Sequence, residues 1–354
     1  MTKEVKYGVI SDIHEDPKII VPALKVLKAF GAKKLLVNGD IGVASGDLES
    51  NQRYTGFILN EVARSGMEAF VQPGSHETVF GYWPVVDYFA QKHGNIIDVT
   101  KPKNQKIEQD GHTLVFLPGS DFSCGGEFTI GNNMPTCYYL ARSKEKNLVL
   151  PDGTLHKIGV DSSLIMCENV KEVASSLSGM QRIDNTATFE TFRYSNMEDL
   201  RGYVKNPERT VVVCHVPRKF SGLETCVDVA EFGEVTEDFL LNNSNITKGS
   251  VFPIQVAVNI AKAGGPVEIK KTNRGNEKLA KLYEELGVTK AVSGHFHESS
   301  HRANDRQSNH VEEGQYTKEL FWNSGHLDKG YTGILTVRGE EVSYQNICLS
   351  DYIK

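Results

Sequence analysis

Five times along this chain a short hydrophobic run ends in acidic, histidine or small polar residues. Tyr7-Gly8-Val9-Ile10 leads to Asp12-Ile13-His14, and Leu35-Leu36-Val37-Asn38 to Gly39-Asp40. Ala69-Phe70-Val71-Gln72 leads to Gly74-Ser75-His76-Glu77, Val211-Val212-Val213 to His215, and Ala291-Val292 to Gly294-His295-Phe296-His297. Apolar, β-branched runs of this length read as strands. Residues just past the carboxyl ends of strands in an α/β sheet share one crevice. Carboxylates and imidazoles gathered there without a thiolate suit divalent ions such as Mn, Fe, Ni or Zn better than they suit a closed structural zinc site. The pattern therefore predicts a two-metal hydrolytic centre assembled from distant parts of the chain.

The series Asp-x-His, Gly-Asp, Gly-Ser-His-Glu, a lone His and Gly-His-x-His, spread over residues 12 to 297, resembles the calcineurin-like metallophosphoesterase family. The resemblance implies an α/β fold of two facing mixed β-sheets sandwiched between helices. It also implies two divalent ions, Mn first among the candidates. Asp12, His14 and His297 would hold the first metal, Asp40 would bridge both, and His215, His295 and Ser75 would hold the second. His76 takes the family's place for a non-ligand histidine, the expected catalytic general acid, with Glu77 expected to orient it. The implied reaction is hydrolysis of a phosphodiester or phosphomonoester by a metal-bound hydroxide, with no covalent enzyme intermediate. Ser75 departs from the family, which has Asn there; a neutral hydroxyl is a shorter and poorer ligand than an amide carbonyl, so the second metal is expected to be weakly held.

Residues 5 to 100 alternate strand-like and helical patterns, the rhythm of stacked βαβ units. Asp16-Pro17 opens the first helix, which Gly31 ends; Asn51 to Arg64 and Val85 to Lys92 form the next two, followed by Gly66 and Gly94. Asp110-Gly111 predicts a hairpin between 105–107 and 112–117. One main domain spans 1–354, interrupted by a cap or lid at 120–208 and a second irregular insertion at 217–271, both starting beside the crevice and both expected to shape substrate access. Asn276 to Leu286 is an amphipathic helix, and Leu320-Trp322, Gly333-Val337 and Val342-Leu349 are closing strands.

A formal net charge of -6 provides no electrostatic footprint for duplex nucleic acid or an anionic membrane, which leaves a small phosphate ester or nucleotide as the expected partner. No apolar run approaches the ~20 residues of a membrane helix. The six cysteines form no Cys-x-x-Cys pair and no secretory leader opens the chain, so reduced thiols and a cytoplasmic location are expected. Cys214 reads as a small core residue. Arg218, Lys219, Lys271 and Arg274 are candidates for phosphate oxygens, with solvated surface the simpler alternative. His301 and His326 are candidates for the rim of the crevice. Two other functions compete with small-ester hydrolysis: a nuclease of the same family, and a non-catalytic binding module of the kind represented by the retromer scaffold subunit.

Overall fold

The computed structural model describes residues 3–43, 47–121, 124, 126–130, 138–149, 155–159, 163–167, 187–192 and 197–353. In chain order the first elements are β1 (Glu4–Ile10), α1 (Ile20–Ala29), β2 (Lys34–Asn38), α2 (Leu48–Ser65), β3 (Glu68–Gln72), α3 (Val79–Lys92) and β4 (Ile96–Asp98). The hairpin β5 (Lys106–Gln109) and β6 (His112–Leu117) follows, its turn made by Asp110 and Gly111, both at positive φ as a two-residue turn of this hand requires. Next come β7 (Tyr138–Val149), β8 (Leu155–Gly159), β9 (Ser163–Cys167) and β10 (Ala187–Phe192), then β11 (Thr210–Cys214). The strands β12 (Val229–Val235), β13 (Phe239–Leu241), β14 (Ser244–Ile246) and β15 (Val251–Pro253) precede α4 (Ile254–Lys262), β16 (Val267–Asn273) and α5 (Glu277–Leu286). The chain ends with β17 (Lys290–Ser293), β18 (Ala303–Asn304), β19 (Leu320–Asn323), β20 (Tyr331–Arg338) and β21 (Glu341–Cys348).

Two six-stranded sheets dominate, in the orders β21-β20-β1-β2-β3-β4 and β18-β19-β17-β11-β6-β5. Both are mixed: β1 to β4 run parallel and so do β6, β11, β17 and β19, while β20, β21, β5 and β18 are antiparallel to their neighbours. Alternation along each strand sorts the side chains into layers. Val5, Tyr7, Val9, Leu36 and Phe70 meet Leu114, Phe116, Val211, Val213, Val292 and Trp322 in one buried cluster between the sheets. Ile10, Leu35, Val37, Ala69 and Val71 face the other way, into a cluster with Leu24 and Leu27 of α1, Ile58 and Val62 of α2, and Val85 and Phe89 of α3. Val212 and Cys214 pack outward with Leu279, Leu282 and Tyr283 of α5. The result is the expected layering, two facing mixed sheets with helices outside.

Helix boundaries follow local chemistry. Asp16 accepts from the Lys18 N–H at the head of a 3-10 turn that runs into α1, Asp47 caps α2, and Asn276 caps α5 by accepting from the Leu279 N–H. Gly66 and Gly287, both left-handed, close α2 and α5.

The two stretches read as irregular need correction. Within 120–208, β10, β7, β8 and β9 pair antiparallel with one another, although the remaining residues of that insertion lie largely outside the described ones. Within 217–271, β15, β12 and β16 form a three-stranded antiparallel sheet with α4 against it, and β13 and β14 form a hairpin. The small sheet buries Val229, Phe232 and Val235, and Ala257 and Ile260 of α4 are buried against it, but its strands are short and β16 carries three lysine or glutamate residues, which masks the alternation. Lys270 pairs with Glu234 across the strands and Lys271 with Glu231, while Ile269 stays 44% exposed. No helix among the described residues is long and apolar enough to cross a membrane.

Lys290, at the start of β17, is buried, and its ammonium donates to the Glu208 carbonyl at 2.9 Å, the Thr289 hydroxyl at 3.1 Å and the Lys318 carbonyl at 3.3 Å. Burial pushes its pKa down to about 8 from 10.5, against the pull of Glu340 and Glu208. The unfolded chain therefore binds more protons than the folded one between those values, and this group's contribution to stability rises with pH through that window. Urea unfolding of wild type and Lys290→Met from pH 7.5 to 10 should show a rise in the wild type relative to the variant; parallel curves would show that Lys290 titrates normally.

Candidate metal centre

Every ligand candidate lies just beyond a strand that runs toward the same edge. Asp12 and His14 follow β1, Asp40 follows β2, Ser75 and His76 follow β3, His215 follows β11, and His295 and His297 follow β17. The first three strands belong to one sheet and the last two to the other. Asp12, Asp40 and His295 adopt positive φ of 57, 54 and 69°, a conformation that ordinary residues avoid and that clusters at functional sites. Two motif glycines are required by close approach. A Cβ on Gly74 would stand 2.3 Å from the Asp40 carboxylate, and one on Gly294 would stand 2.5 Å from that of Asp12.

The side chains converge in three overlapping groups, Asp12 with His14 and His297, Asp40 with His215 and His295, and His14 with Asp40 and His76. Within each group the donor atoms lie within 4.8 Å of one another, the spacing that holds a metal ion. His14 Nε2 and His297 Nε2 are 3.4 Å apart, and His297 Nε2 is 3.4 Å from Asp12 Oδ1. His215 Nε2 lies 3.1 Å from Asp40 Oδ2 and 3.8 Å from Asp12 Oδ1, joining the groups. The first and third of these groupings share His14, and Asp40 belongs to two of the three.

The electrostatics suit cations. Burial disfavours the charged forms of Asp12 and Asp40, but His215 beside both outweighs it and holds the two carboxyls well below the usual range. His215 is fully buried; that burial opposes its charge, yet the same two carboxylates raise its pKa to about 10. Burial and the neighbouring His215 push His295 down to about 3, so it is a neutral donor. His215 Nδ1 faces the Asn38 carbonyl at 2.8 Å, which turns its buried Nε2 toward the Asp40 and Asp12 carboxylates. A buried imidazole fixed through one nitrogen to a backbone carbonyl, with the other nitrogen among carboxylates, fits a metal ligand. The donor set is nitrogen and oxygen throughout, which suits Mn, Fe, Ni or Zn.

The Ser75 hydroxyl donates to Asp40 Oδ2 at 2.9 Å, and the Ser75 and His76 amides both donate to Asp40 Oδ1, at 2.5 and 2.9 Å. Ser75 is thus committed to the Asp40 carboxylate. His76 stacks on His14, ring centroids 4.3 Å apart and planes 6° from parallel, with Nε2 3.9 Å from Asp40 Oδ2. Glu77 does not orient His76 as the sequence suggests. Its buried carboxyl accepts from the backbone amides of Gly74, Asp40, Ile41 and Gly42, clamping the second and third motif loops together. Burial and then Asp40 push its pKa up to about 8. The first insertion leaves the fold at this point, since the amides of Cys124 and Gly126 donate to the Ser75 carbonyl at 3.0 Å each.

The other candidates are placed elsewhere. Arg218 pairs with Glu284, Lys219 with Glu277 and Lys271 with Glu231, while Arg274 lies over the Phe232 ring. His301 Nε2 is engaged by the Thr332 carbonyl. His326 does reach the site, stacked on His297 with centroids 4.2 Å apart and its Nδ1 2.8 Å from the Ser300 hydroxyl. Burial and the neighbouring His297 push its pKa down to about 4. Cys214 is a buried core residue.

Sequence reasoning missed Asp328. Its buried carboxylate accepts from the amides of His14, Glu15 and Asp16 at 3.0–3.1 Å and lies 3.6 Å from His14 Nδ1. A carboxylate behind a ligand imidazole turns the far nitrogen to the metal. The one available signal was position, since Asp328 follows the Asn323-Ser324-Gly325-His326 turn just after a strand.

No protein-family model and no curated protein matches the chain. Solved structures similar in outline include TT1561 of Thermus thermophilus, at TM-score 0.45 and 9% identity over 97% of this chain and 99% of that one. A dimetal phosphatase from Danio rerio follows at TM-score 0.38 and 10% identity, over 98% and 99%. GAP50, the anchor in the inner membrane complex of Plasmodium, is similar at TM-score 0.36 and 11% identity, over 98% and 85%. At such scores these likenesses add no weight of their own. The two-sheet layering and the ordered ligand motifs at the strand ends are the chain's own features, and they are consistent with a calcineurin-like metallophosphoesterase.

Asp328→Asn should weaken metal binding by about 10–100-fold without unfolding the protein, as titration with Mn(II) would show; unchanged affinity would leave Asp328 a loop anchor only. Ser75→Asn restores an amide oxygen and should raise the occupancy of the weaker site at limiting metal, counted by elemental analysis. Equal metal content in both proteins would show that the hydroxyl does not limit the second ion.

Proposed function

We propose that the chain is a metal-dependent phosphoesterase that hydrolyses a small phosphodiester or phosphomonoester with two divalent ions, Mn(II) the first to test. The observation that carries this reading is the convergence of the Asp12 and Asp40 carboxylates with the imidazoles of His14, His76, His215, His295 and His297. When bound, a cation pair there would neutralise phosphoryl charge and lower the pKa of a water, the chemistry of two-metal hydrolysis. Asp12, His14 and His297 would hold one ion, His215 and His295 the other, with Asp40 between them and Ser75 supporting Asp40 rather than binding strongly itself.

The chain's own groups account for the rest. Glu77 and Asp328 fix the loops that aim Asp40 and His14. His76, with its side chain 24% exposed and given no ion to hold in this reading, would be free to meet substrate. Burial lowers its pKa and Asp40 raises it, the net shift being downward. An arriving phosphate anion adds a second attraction for its proton, which favours a His76 able to protonate the leaving oxygen.

The test is metal-stripped protein given back Mn, Ni, Zn or Fe(II) with bis-p-nitrophenyl phosphate and p-nitrophenyl phosphate in parallel. Metal-dependent turnover that is lost in Asp40→Asn is expected, and the preferred ester separates diesterase from monoesterase. Folded protein inert with every metal on both esters would overturn the proposal in favour of a binding module.

A further inference from the structure

The small sheet β15-β12-β16 has an open edge. Among the described residues no strand lies beyond β16, whereas the opposite edge is the short β15, which ends in Pro253. An open edge presents a row of backbone donors and acceptors, and the pairing with β12 decides which residues present them. The Arg274 amide donates to the Asp228 carbonyl and the Thr236 amide to the Pro266 carbonyl, at 2.8 Å each, flanking a register that sets Val229 against Asn273 and Val235 against Val267. Even-numbered residues of β16 therefore bond to β12, and Val267, Ile269 and Lys271 turn their N–H and C=O groups outward. The Val267 N–H is taken by the Gly265 carbonyl at 2.9 Å, and the far end of the strand is engaged where Asn273 Nδ2 donates to the Gly222 carbonyl at 2.8 Å. Between these points the outward edge is open.

Edge strands are commonly guarded by a lysine whose charge repels a second strand. Here those charges are neutralised within the sheet, with Lys270 Nζ 3.1 Å from Glu234 and 3.7 Å from Glu268, and Lys271 Nζ 3.0 Å from Glu231. Ile269 stands opposite Gly233, on the face where Ala257 of α4 packs, yet α4 leaves it 44% exposed. Within 267–271 the strand complements itself in one register. Two antiparallel copies related by a two-fold axis normal to the sheet place one residue on that axis, opposite its own copy. Glu268, Lys270 or Lys271 there would meet its own like charge, and Val267 has its N–H already engaged. With Ile269 on the axis, an exposed apolar side chain meets itself and Glu268 stands opposite the partner's Lys270 on both sides. The Ile269 and Lys271 N–H groups then meet the carbonyls of the partner's Ile269 and the partner's Val267.

We propose that the outer edge of β16 is the interface through which two copies of this chain pair, extending the small sheet antiparallel across a two-fold axis at Ile269. Residues 267–271 on each side make a small interface, so the dimer is weak, with a dissociation constant on the order of 10 µM. The Ser299 hydroxyl donates to the Val229 carbonyl and so ties this sheet to the turn that carries His297; pairing would steady that wall without supplying a metal ligand. This holds whatever reaction the metal centre performs.

The test is sedimentation velocity of the full chain from about 1 to 200 µM, where monomer should give way to dimer. Ile269→Lys sets like charges on the axis and should keep the chain monomeric throughout. Glu268→Lys and Lys270→Glu should each be monomeric alone, because each sets like charges opposite one another, but an equimolar mixture of the two should associate, because every Lys then faces a Glu. Circular dichroism checks that each variant is folded; if either charge variant is not, Ile269→Lys decides alone. A wild type that is monomeric at every concentration, a dimer that survives Ile269→Lys, or a mixture of folded variants no more associated than its components would overturn the proposal.

Discussion

The centre depends on one lock between the sheets, the contact of His215 Nδ1 with the Asn38 carbonyl. Asn38 ends β2 in one sheet and His215 follows β11 in the other, so this contact ties the sheets at the centre and turns the other nitrogen toward Asp40. Buried amides reinforce it from beneath, with Asn38 Nδ2 donating to the Cys214 carbonyl and Gln72 Nε2 to that of Val213. Apolar packing of Phe70, Phe116, Val211 and Val213 would permit sliding between sheets; hydrogen bonds buried within it do not, because each displaced group would be left unsatisfied.

The loops above that lock are similarly over-determined. The amides of Asp12 and Ile13 donate to the carbonyls of Gly39 and Asp40, and those of Leu327 and Asp328 to the carbonyls of Ser11 and Asp12. Glu77 gathers four further amides. Such a mesh explains how Asp12, Asp40 and His295 persist at positive φ, a cost of order 1–3 kcal/mol each that a looser frame would relax. Strain here aims the carboxylates into a shared space instead of along their strands.

Most of this was legible in the sequence because each ligand motif is anchored to an apolar run, and such runs declare strands whose ends must meet. Turn chemistry was as plain, as Asp110-Gly111 and the capping Asp16, Asp47 and Asn276 show. What escaped detection depended on contacts remote in sequence. Asp328 reaches the amide of His14 across 314 positions, with no periodicity to announce it. Glu77 was assigned to its neighbour His76, but a carboxylate beside several free loop amides binds those amides, which only the folded loops bring together. The small sheet of 229–273 escaped because its apolar residues are few and spread over short strands between charged ones, and they meet only when α4 folds against them.

Ser75 then acquires a physical meaning that a motif comparison lacks. A substitution of Asn by Ser removes an amide oxygen from the centre, yet the hydroxyl and amide of Ser75 both bind Asp40, so the shorter side chain supports that carboxylate more directly than it contacts any ion. Asp40 is in consequence held in place by Ser75 and His76, and the neighbouring His215, whose pKa the two carboxylates raise, offsets part of their charge. A cation held by His215 Nε2 would have to displace any proton there, so its affinity would fall as pH falls. Were an ion held there, lacking one neutral oxygen ligand would weaken its binding without abolishing it, because two buried carboxylates would supply the larger part of the attraction.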